Sequence, residues 1–136
     1  MIKPIMKDPL FLSRKSAPAT KADLNIGKDL LDTLISHQHE CVGMAANMIG
    51  ELKNIIAVNA DGLYLVMYNP EIISRSEPYA TEEGCLSLSG IRPATRYNKI
   101  TVRYQTQAFK SVTSDFSGIT AQIIQHECDH LQGILI

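Results

Sequence analysis

The chain has 136 residues, 45% of them apolar and 20% charged, the length and composition of one globular domain with a core of its own. Thirteen Lys and Arg against 14 Asp and Glu leave a formal net charge of −1, so no strong field draws nucleic acid or an anionic membrane. No run approaches the roughly 18 apolar residues of a membrane span.

The start, Met1-Ile2-Lys3-Pro4-Ile5-Met6, has no secretory pattern, and the expected location is the cytoplasm. There the three cysteines, Cys41, Cys85 and Cys128, are expected as free thiols. Residues 1–12 read as an extended arm and 13–19 as a loop. Thr20, with Asp23 three residues on, forms a capping box. Leu24, Leu30, Leu31, Leu34 and Ile35 then recur at helical spacing, which predicts an amphipathic helix over 21–38. Gly27 weakens it slightly. A segment rich in small residues follows, from Cys41 to Gly50. The middle of the chain predicts strands at 54–59, 63–68, 71–77, 99–105 and 107–113, with Asp61-Gly62 as a hairpin turn between the first two. Ser117-Gly118 ends the β region, and a second helix is predicted over 119–131, closed by Gly133. The order helix, strands, helix predicts one α+β domain over 1–136. Its small antiparallel or mixed sheets would pack around the C-terminal helix, with one further helix near the N-terminus.

That second helix carries His126-Glu127-Cys128-Asp129-His130. Two histidines four residues apart on a helix differ by about 40° in azimuth and one turn in height, so both imidazoles reach one metal ion. Glu127 lies beside that face, where a carboxylate takes a proton from a metal-bound water. Cys128 is turned roughly 160–200° away and reads as a core residue. A catalytic metal of this kind takes three protein ligands and keeps one position open. The run HExxHxxG continues in one class of zinc proteases to a third histidine, but position 136 holds Ile136. His37, His39, Glu40, Cys41 and Cys85 remain as candidates for the third ligand.

Three segments together resemble the signature motifs of the peptide deformylase family. Val42-Gly43-Met44-Ala45-Ala46 with Gly50 resembles GxGLAAxQxG. Glu83-Gly84-Cys85-Leu86-Ser87 matches EGCLS at every position. Gln125-His126-Glu127-Cys128-Asp129-His130-Leu131 with Gly133 matches QHExDHLxG. The resemblance implies metal ligands Cys85, His126 and His130 around one divalent ion, Fe²⁺ first, with Zn²⁺, Ni²⁺ or Co²⁺ able to take the site. It implies removal of the N-formyl group from the initiator methionine of new proteins, met as nascent chains at the ribosome. Glu127 would be the proton carrier, and the Leu86 N–H and the side chain at position 48 the oxyanion donors. The backbone at Gly43, with Arg92, would bind the peptide. No membrane and no direct nucleic-acid partner is implied.

Two departures stand out. Cys41 replaces the first glycine of the first motif, and Met48 occupies the glutamine position. A thioether has no N–H to donate, which predicts slower turnover. Asn47, next to it, carries an amide. The competing expectations are a metal- and peptide-binding protein that has lost catalysis, and a metallopeptidase acting on ordinary peptide bonds. Arg96 is expected to pair with Asp129.

Overall fold

In the computed structural model, which describes residues 1–135, Thr20 and Asp23 form the expected capping box: the Asp23 carboxylate accepts from the Thr20 N–H at 2.8 Å. The first turn, Lys21–Asp23, is a 3-10 turn. The α-helix proper, α2, runs Leu24–Ser36 and buries Leu30 and Leu34 completely. Before it, the arm is not wholly extended. Pro9–Leu12 forms a short helix, α1, because Asp8 caps it through the Leu10 N–H and Pro9 is preset for a first turn.

Gly27 has a use that helix propensity hides. A Cβ there would lie 2.0 Å from the Tyr68 hydroxyl and 2.6 Å from its ring, and that hydroxyl donates to the Leu24 carbonyl at 3.1 Å. Gly27→Ala is therefore expected to overpack the buried tyrosine at a cost of about 1–3 kcal/mol, outweighing the gain of about 1 kcal/mol in helix propensity. A lowered urea midpoint is the expected result, and an unchanged one contradicts this packing account.

Five strands make one antiparallel sheet in chain order: β1 Gly43–Ala45, β2 Ile55–Ala60, β3 Leu63–Gly84, β4 Ile91–Gln105 and β5 Ser111–Ser117. The expected turn at Asp61-Gly62 joins β2 to β3, both residues having positive φ. The two strands expected at 63–68 and 71–77 are one. Asn69, at φ 53°, takes up a bulge, and its side chain bonds Ala19 and Gln105, so the strand continues through it. Beyond it β3 and β4 continue as a largely exposed ribbon, where neither strand has the apolar alternation that marks a half-buried strand. The strand expected at 107–113 lies at 111–117 instead. Thr106 to Lys110 form a turn closed by the Thr106 N–H to the Lys110 carbonyl, and Phe109 tucks its ring 5.6 Å from that of Tyr68.

The last helix, α3, runs Gly118–Leu131. One core cluster, built on Leu30, Leu34, Met44 and Tyr68, lies between α2 and the sheet. The other, built on Ile56, Met67, Val102 and Ile124, lies between the sheet and α3. The α+β expectation is met, as a single sheet with α3 packed on it. None of the described helices is long and apolar enough to cross a membrane.

Candidate metal centre

Gln125 sets the rotation of α3. Its amide spans the Tyr97 backbone, accepting from the N–H and donating to the carbonyl, both at 2.8 Å. This locks the helix to β4 one residue before His126. The ring nitrogens His126 Nε2 and His130 Nε2 then stand 3.1 Å apart, and Cys85 Sγ lies 3.3 Å from His130 Nε2. Cys85 follows the last residue of β3, so the sheet brings it to the helix. Cys85, His126 and His130 form a group of ligand atoms all within 4.8 Å of one another. His37, His39, Glu40 and Cys41, the other candidates, are not part of that group.

This donor set fits a divalent ion. One thiolate and two imidazoles make three protein ligands, Cys85 and His126 line a cleft of about 570 Å³, and His126 Nδ1 is held by Glu83 at 2.8 Å. A carboxylate on the far nitrogen is how a metal-binding histidine is oriented. Glu83 is itself caged. Arg96 reaches it through Nε and Nη2, the latter at 2.7 Å, and Gln122 donates to it at 2.9 Å. Burial pushes the Glu83 carboxylate up, but the hydrogen bonds from His126, Arg96 and Gln122 hold it well below the usual range. Arg96 also meets Asp129 at 2.6 Å, as the sequence led us to expect. Its link to Glu83, the stronger tie, runs diagonally across the ribbon, where the register pairs Arg96 with Tyr79 and Glu83 with Arg92.

Burial lowers His130, and the neighbouring His126 lowers it further. Against its own burial, His126 is raised by hydrogen bonds to Cys85 and Glu83. Glu127 lies beside them, only 4% exposed. Burial pushes its carboxyl up to about 7, with His126 pulling the other way, and its Oε1 has no hydrogen-bond partner. Gly43 makes room for it, since a Cβ there would meet Ile123 at 2.6 Å and Glu127 Oε2 at 3.0 Å.

Leu86, Met48 and Gly43 all line the same cleft. No acceptor for the Leu86 N–H occurs among the described residues. Met48 is 1% exposed, and its sulfur accepts from the Ala45 N–H at 3.4 Å. Asn47 does not replace it. Its amide is turned away, donating to the His130 carbonyl at 3.0 Å. Arg92 stands across the ribbon from Glu83 with its guanidinium on the Ser89 carbonyl, outside the cleft lining. Cys128 packs into the core between α3 and the sheet, and burial pushes its thiol up to about 12. Gln122, on the cleft wall, had no signal in the sequence, because its role depends on a partner 39 residues away.

The family model described as "Polypeptide deformylase" matches residues 2–136. A peptide deformylase of Clostridium beijerinckii is 51% identical over the full length of both chains. Among solved structures, a class I type b peptide deformylase of Acinetobacter baumannii bound to Met-Ala-Ser is similar at TM-score 0.86 and 32% identity, covering 99% of this chain and 97% of that one. The peptide deformylase of Thermotoga maritima matches at TM-score 0.88 and 30% identity, covering 99% and 95%. On sequence and fold alike, the chain belongs to the peptide deformylase family.

Proposed function

We propose that the chain hydrolyses the N-formyl group from the first methionine of new proteins, with Cys85, His126 and His130 holding one divalent ion. The observation that carries this reading is the position of Glu127, a buried carboxyl with a free oxygen beside that ligand set and on the cleft wall. A divalent ion held there supplies Lewis acidity that brings the pKa of water toward neutrality and polarises the formyl carbonyl. Glu127 takes the proton of the attacking water on its free oxygen and returns it to the leaving amine. A carboxyl near 7 is suited to both transfers. The Leu86 N–H donates to the formyl oxygen as it gains charge. The backbone at Gly43 pairs with the peptide, Arg92 binds its far end, and Val42, Ile119 and Ile123 on the cleft wall take the methionine side chain. Fe²⁺ is the proposed native ion, with Zn²⁺, Ni²⁺ and Co²⁺ able to replace it. The proposed setting is the cytoplasm, on chains leaving the ribosome.

The test is an anaerobic assay of formyl-Met-Ala-Ser with Fe²⁺- or Ni²⁺-loaded protein. Turnover no faster than with the free ion sinks the reading. A binding protein without catalysis, the competing expectation, would hold the peptide tightly in calorimetry and leave it intact. The named relatives, all deformylases, give that alternative no added support. Cys85→Ala is expected to take the metal-to-protein ratio from about one to near zero, since three protein ligands are the working minimum for such a site. Full metal retention by that variant would exclude Cys85 as a ligand.

A further inference from the structure

The cleft wall where the methionine side chain is placed is apolar at Val42, Ile119 and Ile123, and Gln122, next to Ile123 in the chain, adds a neutral amide to the cleft's ionisable lining groups. Gln122 donates to Glu83 Oε2 at 2.9 Å. Because a carboxylate only accepts, the amide nitrogen must face Glu83, which fixes the orientation of the group. Glu83 is held on its other lone pairs by Arg96 and His126, so it cannot turn to follow a different Gln122 rotamer. One amide hydrogen is thus committed. No other partner for the Gln122 side chain occurs among the described residues.

Resting on the deformylase reading above, we propose that Gln122 is a specificity-determining residue that selects a first side chain carrying a hydrogen-bond acceptor where methionine has its sulfur. The second amide hydrogen meets the thioether, a weak acceptor, and a hydrocarbon of the same length leaves it unpaired. The cost of that unpaired donor is modest for a thioether and larger for any stronger acceptor lost. The same site therefore tolerates methionine sulfoxide, whose S–O oxygen accepts strongly.

The experiment compares kcat/KM for three peptides, formyl-Met-Ala-Ser, formyl-norleucyl-Ala-Ser and formyl-Met-sulfoxide-Ala-Ser, on metal-loaded protein. The native chain is expected to favour methionine over norleucine by about threefold. In Gln122→Leu that ratio is expected to fall to about one, and the sulfoxide peptide to lose about tenfold relative to methionine. Calorimetric affinities of the products Met-Ala-Ser and norleucyl-Ala-Ser are expected to shift in the same ratio, which removes turnover from the measurement. Gln122→Leu also strips one donor from Glu83, so metal affinity is expected to drop about tenfold, and rates are compared per loaded site. A residue that merely packs would slow all three peptides alike. Ratios unchanged from the native chain overturn the proposal. If Gln122→Leu does not fold, Gln122→Met, close in shape and without the amide, is read the same way. Absence of turnover for every peptide by the native chain would instead defeat the deformylase reading.

Discussion

Glu127→Gln is expected to lower turnover of a formyl-methionyl peptide by about 10²–10⁴, the usual contribution of a positioned proton carrier. Metal content is expected to stay at the native level, because Glu127 is not one of the three clustered ligands. The amide is nearly the same size as the carboxyl, so the close approach to Gly43 is preserved and the fold is not strained. Two measurements separate the possibilities: the rate per loaded site, and the metal-to-protein ratio by elemental analysis. A rate within tenfold of the native one shows that another group moves the proton. A lost metal shows that Glu127 serves the ligand set instead.

Met48→Gln is expected to act in the opposite direction, raising kcat/KM by one to two orders of magnitude. A single oxyanion donor is worth about 10²–10³, and in the proposed mechanism the Leu86 N–H already supplies part of that stabilisation. The geometry favours the gain. The Met48 sulfur now accepts from the Ala45 N–H at 3.4 Å, a duty the Gln carbonyl oxygen can take over. Its NH₂ is then left to donate into the cleft that residue 48 lines. The two side chains are of similar length, so the buried site accepts the exchange without a cavity. Steady-state kinetics on equally loaded proteins decide it, and an unchanged rate means that position 48 does not face the reacting carbonyl.

The helix-borne half of the site was legible because its information is local. His126 and His130 share a helix face by spacing alone, and Thr20 with Asp23 announce their capping box within four residues. Cys85 was another matter. Nothing near it in the chain distinguishes a ligand from a small core residue, and the resemblance to a family motif singled it out. The Arg96–Asp129 pair was expected, but Arg96 on Glu83 and Gln122 on Glu83 were harder still. Each depends on the register of the β3–β4 ribbon against α3, which side-chain periodicity does not encode. The ribbon's own length was missed for a related reason. Residues 78–84 and 91–98 are held by backbone pairing, with one face exposed and the other, which carries Thr81, Glu83, Arg92 and Arg96, covered by mostly polar side chains. The hydrophobic alternation used to find strands is weak there. The gap expected between strands 63–68 and 71–77 is a bulge at Asn69, whose N–H still bonds the Asn54 carbonyl and whose side chain bonds Ala19 and Gln105.

With the proposed ligand set, the placement of Cys85 just after β3, facing two histidines on α3, would make a bound ion a tether between elements distant in the chain. An ion that binds the closed arrangement and not the opened one stabilises it by mass action, by about 4 kcal/mol at a thousandfold excess over its Kd. Chelation is therefore expected to withdraw a clasp as well as a reagent. After chelation the tip between β3 and β4, residues 85–90, is expected to be the segment whose amides exchange with solvent first, and the resistance of this end of the protein to proteolysis is expected to rise and fall with the supply of metal.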